Sequence, residues 1–311
     1  MYLPKNLRSN VSLYEQIRSY YFCIKEYIEF LSLYRKKYTN YLNVTSKVLQ
    51  RRYPLTAILR SGGSITFGYD YDIYNHLHDL TCDTQQDIVY IDGFQFHGGR
   101  TSGNIVEVFI KNVYSFLEVK DKVVIDIGAG IGDSSIYFAS RGAKQVIAVE
   151  PNRHSYDLAK KNIELNGFHD SVELIWAEIT SSHKTCYGHT YSPVITLDDL
   201  VQRVAIDPDI LKVDCEGCEY DVILSSCPEI LAKFSYVQIE YHYGYRNLAK
   251  KLEGCGFNVA SSSPKYFRPL ILNDTTMLIS DGNIKAPTGG MYIGWLYAQK
   301  ARNRPISSTS T

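Results

Sequence analysis

The chain has 311 residues, 45% of them hydrophobic and 21% charged, a balance that fits a folded globular protein and sets aside the disordered and fibrous classes. Its 33 basic and 33 acidic residues cancel, so net charge gives no general attraction to nucleic acid or to an anionic membrane. No uncharged stretch nears the ~20 residues that span a bilayer. Met1-Tyr2-Leu3-Pro4-Lys5 is not followed by the apolar run of a secretion signal, so a cytoplasmic protein without a membrane span is expected.

Four regions are expected: an N-terminal helical extension over 1–60, a hairpin and helix lead-in over 61–118, a core over 119–300, and a polar, serine-rich, disordered tail over 301–311. Residues 11–50 read as helix. There Ile17, Tyr21, Ile24, Ile28 and Leu31 fall four, three, four and three residues apart and form one apolar stripe. That stripe would dock on the core or join a second copy into a homo-oligomer; the sequence does not choose. Arg35-Lys36-Lys37 reads as a solvated face. Next, Ile88 to Ile91, Asp92-Gly93 and Phe94 to Phe96 predict a β-hairpin, because Asp-Gly suits a turn whose two central residues need positive φ. A helix over 104–117 then leads into the core.

From residue 122 strands and helices alternate. Strands are expected at 123–127, 145–149, 172–179, 210–213 and 236–241, with two more near 268–280 and 290–298. Helices are expected at 134–140, 155–166, 198–203, 220–225 and 246–254, and an irregular insertion at 180–194. This alternation predicts an α/β, Rossmann-like fold: a mostly parallel seven-stranded sheet with helices on both faces, plus the N-terminal helical and β extension.

The most informative segment is Asp126-Ile127-Gly128-Ala129-Gly130-Ile131-Gly132-Asp133, between an apolar strand and a helix. Glycines let the backbone turn sharply and approach a ligand, and the helix start offers free N–H groups. Asp133 could also simply cap its helix. Glu150 ends the second strand about 20 residues on, where a carboxylate can accept hydrogen bonds from ribose hydroxyls. A dinucleotide fingerprint would need a glycine at Asp133. The observed Gly128-x-Gly130-x-Gly132 spacing looks instead like the S-adenosylmethionine version. Glu178, ending the third strand, would lie beside the adenine or stand as a solvated strand-end charge.

Two further segments make a family resemblance specific. They are Ile195-Thr196-Leu197-Asp198-Asp199-Leu200 and Leu211-Lys212-Val213-Asp214-Cys215-Glu216-Gly217-Cys218-Glu219. With the glycine loop and Ile239-Glu240-Tyr241-His242, they resemble the FkbM-type methyltransferases over about residues 104–260. The resemblance implies a class I methyltransferase fold, S-adenosylmethionine as cofactor and an acidic residue, here Asp126, near its methionine end. It also implies methyl transfer to a hydroxyl of a sugar, glycan or other small acceptor. The Asn/Asp-Pro-Pro-Tyr element of many nucleic-acid amino-methyltransferases is missing after the fourth strand, which argues against base methylation.

Ligands of such sheets bind beyond the carboxyl ends of the strands. Asp214 and Glu216 end the fourth strand, and Glu240 and His242 end the fifth, so a catalytic cluster is expected there. His242 would accept the proton at neutral pH, with carboxylates raising one another's pKa, or would be a hydrogen-bonded structural residue. Glu216 and Glu219 could instead pair with Lys212 or cap the next helix. A divalent metal at Asp214, Glu240 and His242 is an alternative that is not favoured. The seven scattered cysteines, an odd number, imply no disulfide framework. A redox or zinc role for Cys215-x-x-Cys218 is set aside, because the pair fills variable positions of the Asp-x-Glu-Gly-x-Glu element and no second such pair exists. Two other functions stay open: an RNA or protein methyltransferase using the N-terminal helices to hold a macromolecule, and a non-catalytic cofactor-binding scaffold. The 26 tyrosines point to no function by themselves.

Overall fold

The computed structural model describes residues 11–181, 192–204, 207–267 and 291–300. The expected tail, most of the 180–194 insertion and the strand expected near 268–280 lie outside these residues.

Helix α1 (Leu13–Lys37) starts at a capping box in which the Ser12 hydroxyl accepts from the Glu15 backbone N–H and a Glu15 carboxylate oxygen accepts from the Ser12 N–H at 2.6 Å. Arg35, Lys36 and Lys37 occupy its last turn, where the negative end of the helix dipole favours cations. The single helix expected over 11–50 is two, because α2 (Tyr41–Leu49) follows a break at Tyr38. Tyr38 is fully buried in extended backbone, its hydroxyl 2.8 Å from His76 Nδ1, and no straight helix could place it there.

Strands β1 (Leu55–Ile58) and β2 (Ser64–Phe67) pair antiparallel, and α3 (Asp70–Leu77) follows. Tyr34, Tyr38, Val44, Leu55, Phe67 and Ile73 form a satellite core that joins residues on both sides of the expected boundary at 60. Strands β3 (Thr81–Asp83), β4 (Ile88–Ile91) and β5 (Phe94–His97) make a small sheet. The expected hairpin is present, with Ile91 opposite Phe94 and positive φ at both Asp92 (48°) and Gly93 (85°). The helix expected over 104–117 is shorter. Only one π-helical turn, Val106–Ile110, forms before Asn112 adopts a φ of 49° and ends it.

The remaining elements are β6 (Val123–Ile127), α4 (Asp133–Ser140), β7 (Gln145–Glu150), α5 (Arg153–Leu165) and β8 (Val172–Trp176). They continue as β9 (Glu178–Ile179), β10 (Val194–Ile195), α6 (Leu197–Arg203), β11 (Ile210–Val213), α7 (Glu219–Ser225) and α8 (Pro228–Leu231). Last come β12 (Tyr236–Tyr241), α9 (Arg246–Gly254), β13 (Phe257–Ser261), β14 (Lys265–Phe267) and β15 (Met291–Lys300). The main sheet runs β13-β15-β12-β11-β6-β7-β8, with β14 paired to β15 at the side. Within this seven-strand path only β15 runs against its neighbours. The third strand expected to reach Ile179 stops at Trp176, and β9 pairs with β10 instead. Strand β13 fills a stretch where no strand was expected.

One core cluster packs α6, α7, α8 and α9 on one sheet face; the other packs α4, α5 and the β4–β5 hairpin on the opposite face. Both faces of the central strands are covered, so β6 and β11 are buried at every position, as parallel sheets require. No described helix is long and apolar enough to cross a membrane.

Candidate active site

Strand β6 delivers its chain into the glycine loop beside the end of β11. Gly128 has φ +77°, and a Cβ there would lie 1.8 Å from the Asp214 carbonyl oxygen, so only glycine allows this approach. Gly130, at φ +55°, has only an Asp133 oxygen within 4 Å of where its Cβ would be, and so borders open space. Gly132 is the N-cap of α4.

Glu150 sits at the end of β7, 7% exposed, and accepts from the backbone N–H of Gly130 at 2.9 Å and of Asn152 at 2.8 Å. Burial pushes its carboxyl up to about 7, against those two hydrogen bonds. Each oxygen keeps a lone pair for a ligand hydroxyl. Asp133 is the first residue of α4 and not its cap: its Oδ2 accepts from the Asn104 N–H at 2.7 Å, tying the lead-in segment to α4. Burial pushes its carboxyl up to about 6. Glu178 is 1% exposed at the start of β9.

Asp126 is fully buried and engaged by the protein itself. Ser134 and Ser135 hydroxyls donate to Oδ2 at 2.7 and 2.6 Å, and Lys212 Nζ lies 2.9 Å from Oδ1. Register explains the last contact, because Lys212 of β11 stands directly opposite Asp126 of β6. Burial disfavours the Lys212 ammonium, but the Asp126 and Asp214 carboxylates outweigh it and raise its pKa. The same ammonium donates to the Gly128 carbonyl at 2.7 Å and faces the Tyr114 ring. Asp126 therefore reaches the loop through Lys212. Sequence reasoning missed that role, although Lys212 stood inside the quoted motif.

The second half of the site is the turn from β11 into α7. Glu216 (φ 55°) and Gly217 (φ 116°) reverse the chain there. The reversal brings the Cys215 and Cys218 Cα atoms to 5.4 Å, and the two sulfurs form a disulfide. The odd, scattered cysteines implied no disulfide framework, and this single local bridge was not expected. Cys82, Cys227 and Cys255 are free thiols.

Glu219, fully buried, reaches neither Lys212 nor a simple cap position. One of its oxygens accepts from the His242 backbone N–H at 3.0 Å and lies 2.9 Å from His242 Nδ1; the other accepts from the Gly217 N–H at 2.8 Å. Glu216 lies 3.2 Å from the other ring nitrogen, Nε2. Burial would discharge His242, but Glu219 and Glu216 override it and hold the imidazole well above its ordinary pKa. The imidazole is thus a charged donor at neutral pH. With a carboxylate at each ring nitrogen, this geometry does not supply the free lone pair that the expected general base would need.

Asp214 and Glu240 stand side by side next to this imidazole. Burial pushes both carboxyls up, and they hydrogen-bond one another, with Glu240 raised well above the usual range. Two such carboxyls share one proton, and the pair titrates as a unit. Ligand atoms of Asp214, Glu240 and His242 lie within 4.8 Å of one another. Both His242 nitrogens already face carboxylates, however, so a metal there would have to displace Glu216.

All four expected catalytic residues line one cavity of about 230 Å³. Its remaining wall includes Tyr71, Glu107 and Tyr114 from before the core, and Trp295 from β15. Sequence reasoning did not find these residues. The cofactor-side residues Asp126, Gly128, Gly130, Gly132, Asp133 and Glu150 gather at the adjoining ends of β6 and β7.

Residues 126–259 match the family model of the methyltransferase FkbM domain. Protein arginine N-methyltransferase 1 of Saccharomyces cerevisiae is 41% identical over 64 residues, 21% of this chain and 18% of that protein. A probable protein arginine N-methyltransferase 1.2 of Arabidopsis thaliana is 34% identical over 113 residues, 36% of this chain and 26% of that protein. The chain thus spans about a quarter or less of these two relatives. Uncharacterized protein 158B of Sulfolobus islandicus rod-shaped virus 1 is 31% identical over 144 residues, 45% of this chain and 75% of that protein. Among solved structures, precorrin-6y C5,15-methyltransferase of Geobacter metallireducens is 14% identical, with TM-score 0.39, covering 72% of this chain and 96% of that one.

Proposed function

We propose that this chain, whose residues 126–259 match the methyltransferase FkbM domain, uses S-adenosylmethionine to methylate a hydroxyl oxygen of a sugar, glycan or other small acceptor held against Asp214 and Glu240. The observation that carries this reading is the Asp214–Glu240 carboxyl pair, which faces the cavity beside the glycine loop.

The residues present suit the cofactor. The open space over Gly130 is a cradle that a side chain would fill, and Glu150 keeps acceptor capacity beside it. S-adenosylmethionine supplies an electrophilic methyl on a sulfonium, which departs as a neutral thioether. The chain's own residues do the rest. Glu150 accepts from ribose hydroxyls, Glu178 stands on the adenine side, and Lys212 holds the loop against Asp126. Asp214 takes the proton of the acceptor hydroxyl as its oxygen attacks, and Glu240 hydrogen-bonds the Asp214 carboxyl. The His242 imidazolium, oriented by Glu219, balances the charge of Glu216. Tyr114 and Trp295 exclude water from the cavity and hold the acceptor for in-line attack.

The test is to incubate the protein with methyl-labelled cofactor and mixed hydroxylated acceptors, then identify the labelled bond by mass spectrometry. Label on oxygen supports the reading, and label on nitrogen overturns it. The nitrogen outcome is favoured by one observation: four carboxylates and a single imidazole line the cavity, an arrangement that would also hold a cationic side chain of a protein. The partial match to protein arginine N-methyltransferases points the same way.

A further inference from the structure

Helix α1 has two long faces with different fates. One is docked on its own chain. Glu15 accepts from the Tyr245 hydroxyl at 2.6 Å and pairs with Arg246 at 3.0 Å, Glu26 pairs with Lys265, and Tyr34 enters the satellite core. The other face points to solvent. Tyr14, Ile17, Tyr21, Ile24 and Ile28 are 69%, 63%, 66%, 60% and 62% exposed, and Leu13 flanks them at 72%. The first of the two expectations for this stripe, docking on the core, is not what these side chains do among the described residues.

At 100° per residue these six side chains fall in one arc of about 100°. No charged residue between 13 and 31 lies inside it, while Arg18 and Lys25 stand to one side of it. With large side chains at these exposures, the arc presents on the order of 750 Å² of mostly apolar surface. That exceeds the ~300–600 Å² of the largest patch on a typical monomer and matches the ~800 Å² that each partner gives to a stable interface.

Periodicity identifies the occupant. Tyr14, Ile17, Tyr21, Ile24, Ile28 and Leu31 are separated by three, four, three, four and three residues. A stripe with a 3.5-residue repeat drifts by ~20° per heptad on a straight helix, so a second helix wound left-handed about the first follows it along its length. Another copy of α1 carries the same repeat. Charge selects the direction. In a parallel pair Tyr20 of one chain flanks Lys25 of the other, whereas an antiparallel pair sets Arg18 and Lys25 of one chain against the same cations of the other.

We propose that two copies of this chain associate in parallel through the exposed face of α1, with Tyr14, Ile17, Tyr21, Ile24 and Ile28 of each forming a heptad seam. Interfaces of this kind are rich in tyrosine, which accounts for part of the tyrosine excess.

The test uses the full chain. Light scattering after size exclusion at about 20–50 μM should give twice the chain mass, and Ile17→Glu/Ile24→Glu should weaken association at least a hundredfold, since both changes put charge into the seam. Lys160→Glu, on an exposed position of α5, should leave association unchanged and serves as the charge control. Unaltered circular dichroism and cofactor affinity in the double variant would show that its fold is intact. Tyr14→Cys should cross-link under mild oxidation beyond the wild-type background, because a parallel seam brings the two copies of residue 14 together. A monomeric wild type, a dimer that survives Ile17→Glu/Ile24→Glu, or a dimer in which Tyr14→Cys does not cross-link would each overturn the proposal. So would an arc covered by a segment of the same chain, seen as a monomer whose Ile24→Cys thiol resists alkylation.

Discussion

The two halves of the site are built on opposite electrostatic principles. At the ends of β6 and β7 every buried charge is matched: Asp126 by Lys212 and two serine hydroxyls, Glu150 by two backbone N–H groups. At the ends of β11 and β12 carboxylates crowd together, Asp214 against Glu240 and both Glu216 and Glu219 against one imidazole. The first arrangement fixes a backbone shape for a cofactor that does not vary. The second keeps a proton poised between neighbours, which binding alone would not require.

The sharpest way to separate the halves is Asp214→Asn. Turnover should fall by about 10²–10⁴, while calorimetry finds cofactor affinity within about twofold of wild type. A parallel loss of affinity would show that the carboxyl pair belongs to the cofactor half. In the wild type the acid limb of the rate should follow the Asp214 carboxyl, with activity rising as pH rises through its elevated pKa. Glu219→Gln, which frees His242 Nδ1 from its charged partner, should leave that limb in place, and its disappearance would return the role of base to His242.

Lys212→Met should act on stability. It leaves the Asp126 carboxylate buried without its cation, at a cost of about 3–5 kcal/mol. Adding Asp126→Leu should recover much of that loss in denaturant titrations, because the desolvated charge is removed as well. If Lys212→Met is neutral, the ion pair does not hold the loop.

Glu150 gives a smaller effect with a definite pH sign. Glu150→Gln should weaken cofactor binding about tenfold, the scale of one charge-assisted hydrogen bond. The folded-state carboxyl is raised to about 7 from 4.5. Its contribution to the stability of the ligand-free protein is therefore full below about 4.5 and lost as pH rises through about 7. Cofactor affinity should run the other way, falling as pH drops below about 7, because ribose hydroxyls donate to the carboxylate. Glu150→Gln should flatten both profiles; profiles that keep their slope would place the proton elsewhere.

The smallest effect is expected at the disulfide. Closing a four-residue ring constrains little of the unfolded chain, so Cys215→Ala/Cys218→Ala should cost only about 1–2 kcal/mol. A larger loss in denaturant titrations would mean that the bridge also holds Glu216 and Glu219 in place.

The cofactor half was more legible in the sequence than the acceptor half, for a physical reason. The glycine loop is local: its spacing, the preceding apolar strand and the acidic strand ends lie within about 25 residues, so Gly128 to Glu150 could be read in order. The Asp92-Gly93 hairpin was legible on the same ground. What escaped depends on contacts between distant segments. Lys212 meets Asp126 through the β6–β11 register, which no local pattern encodes. The charge state of His242 is set by Glu219, 23 residues away and on a different element. Tyr71 and Trp295 reach the cavity from opposite sides of the family-matched segment. The Cys215–Cys218 bridge depends on positive φ at Glu216, an unusual choice for a residue with a side chain.

Strand β15 also sets an order of events during synthesis. It is among the last described segments to leave the ribosome, yet it sits between β12 and β13, and Trp295 at its middle closes the cavity. A nascent chain halted before Met291 already carries the glycine loop, Glu150 and the Asp214–Glu240 pair, but β12 then presents a bare, apolar hydrogen-bonding edge to its surroundings. Such chains are expected to engage chaperones or co-aggregate until the last strand arrives, and chaperone pull-downs of a released chain ending at residue 290, compared with the full chain, would show whether that hazard ends with β15.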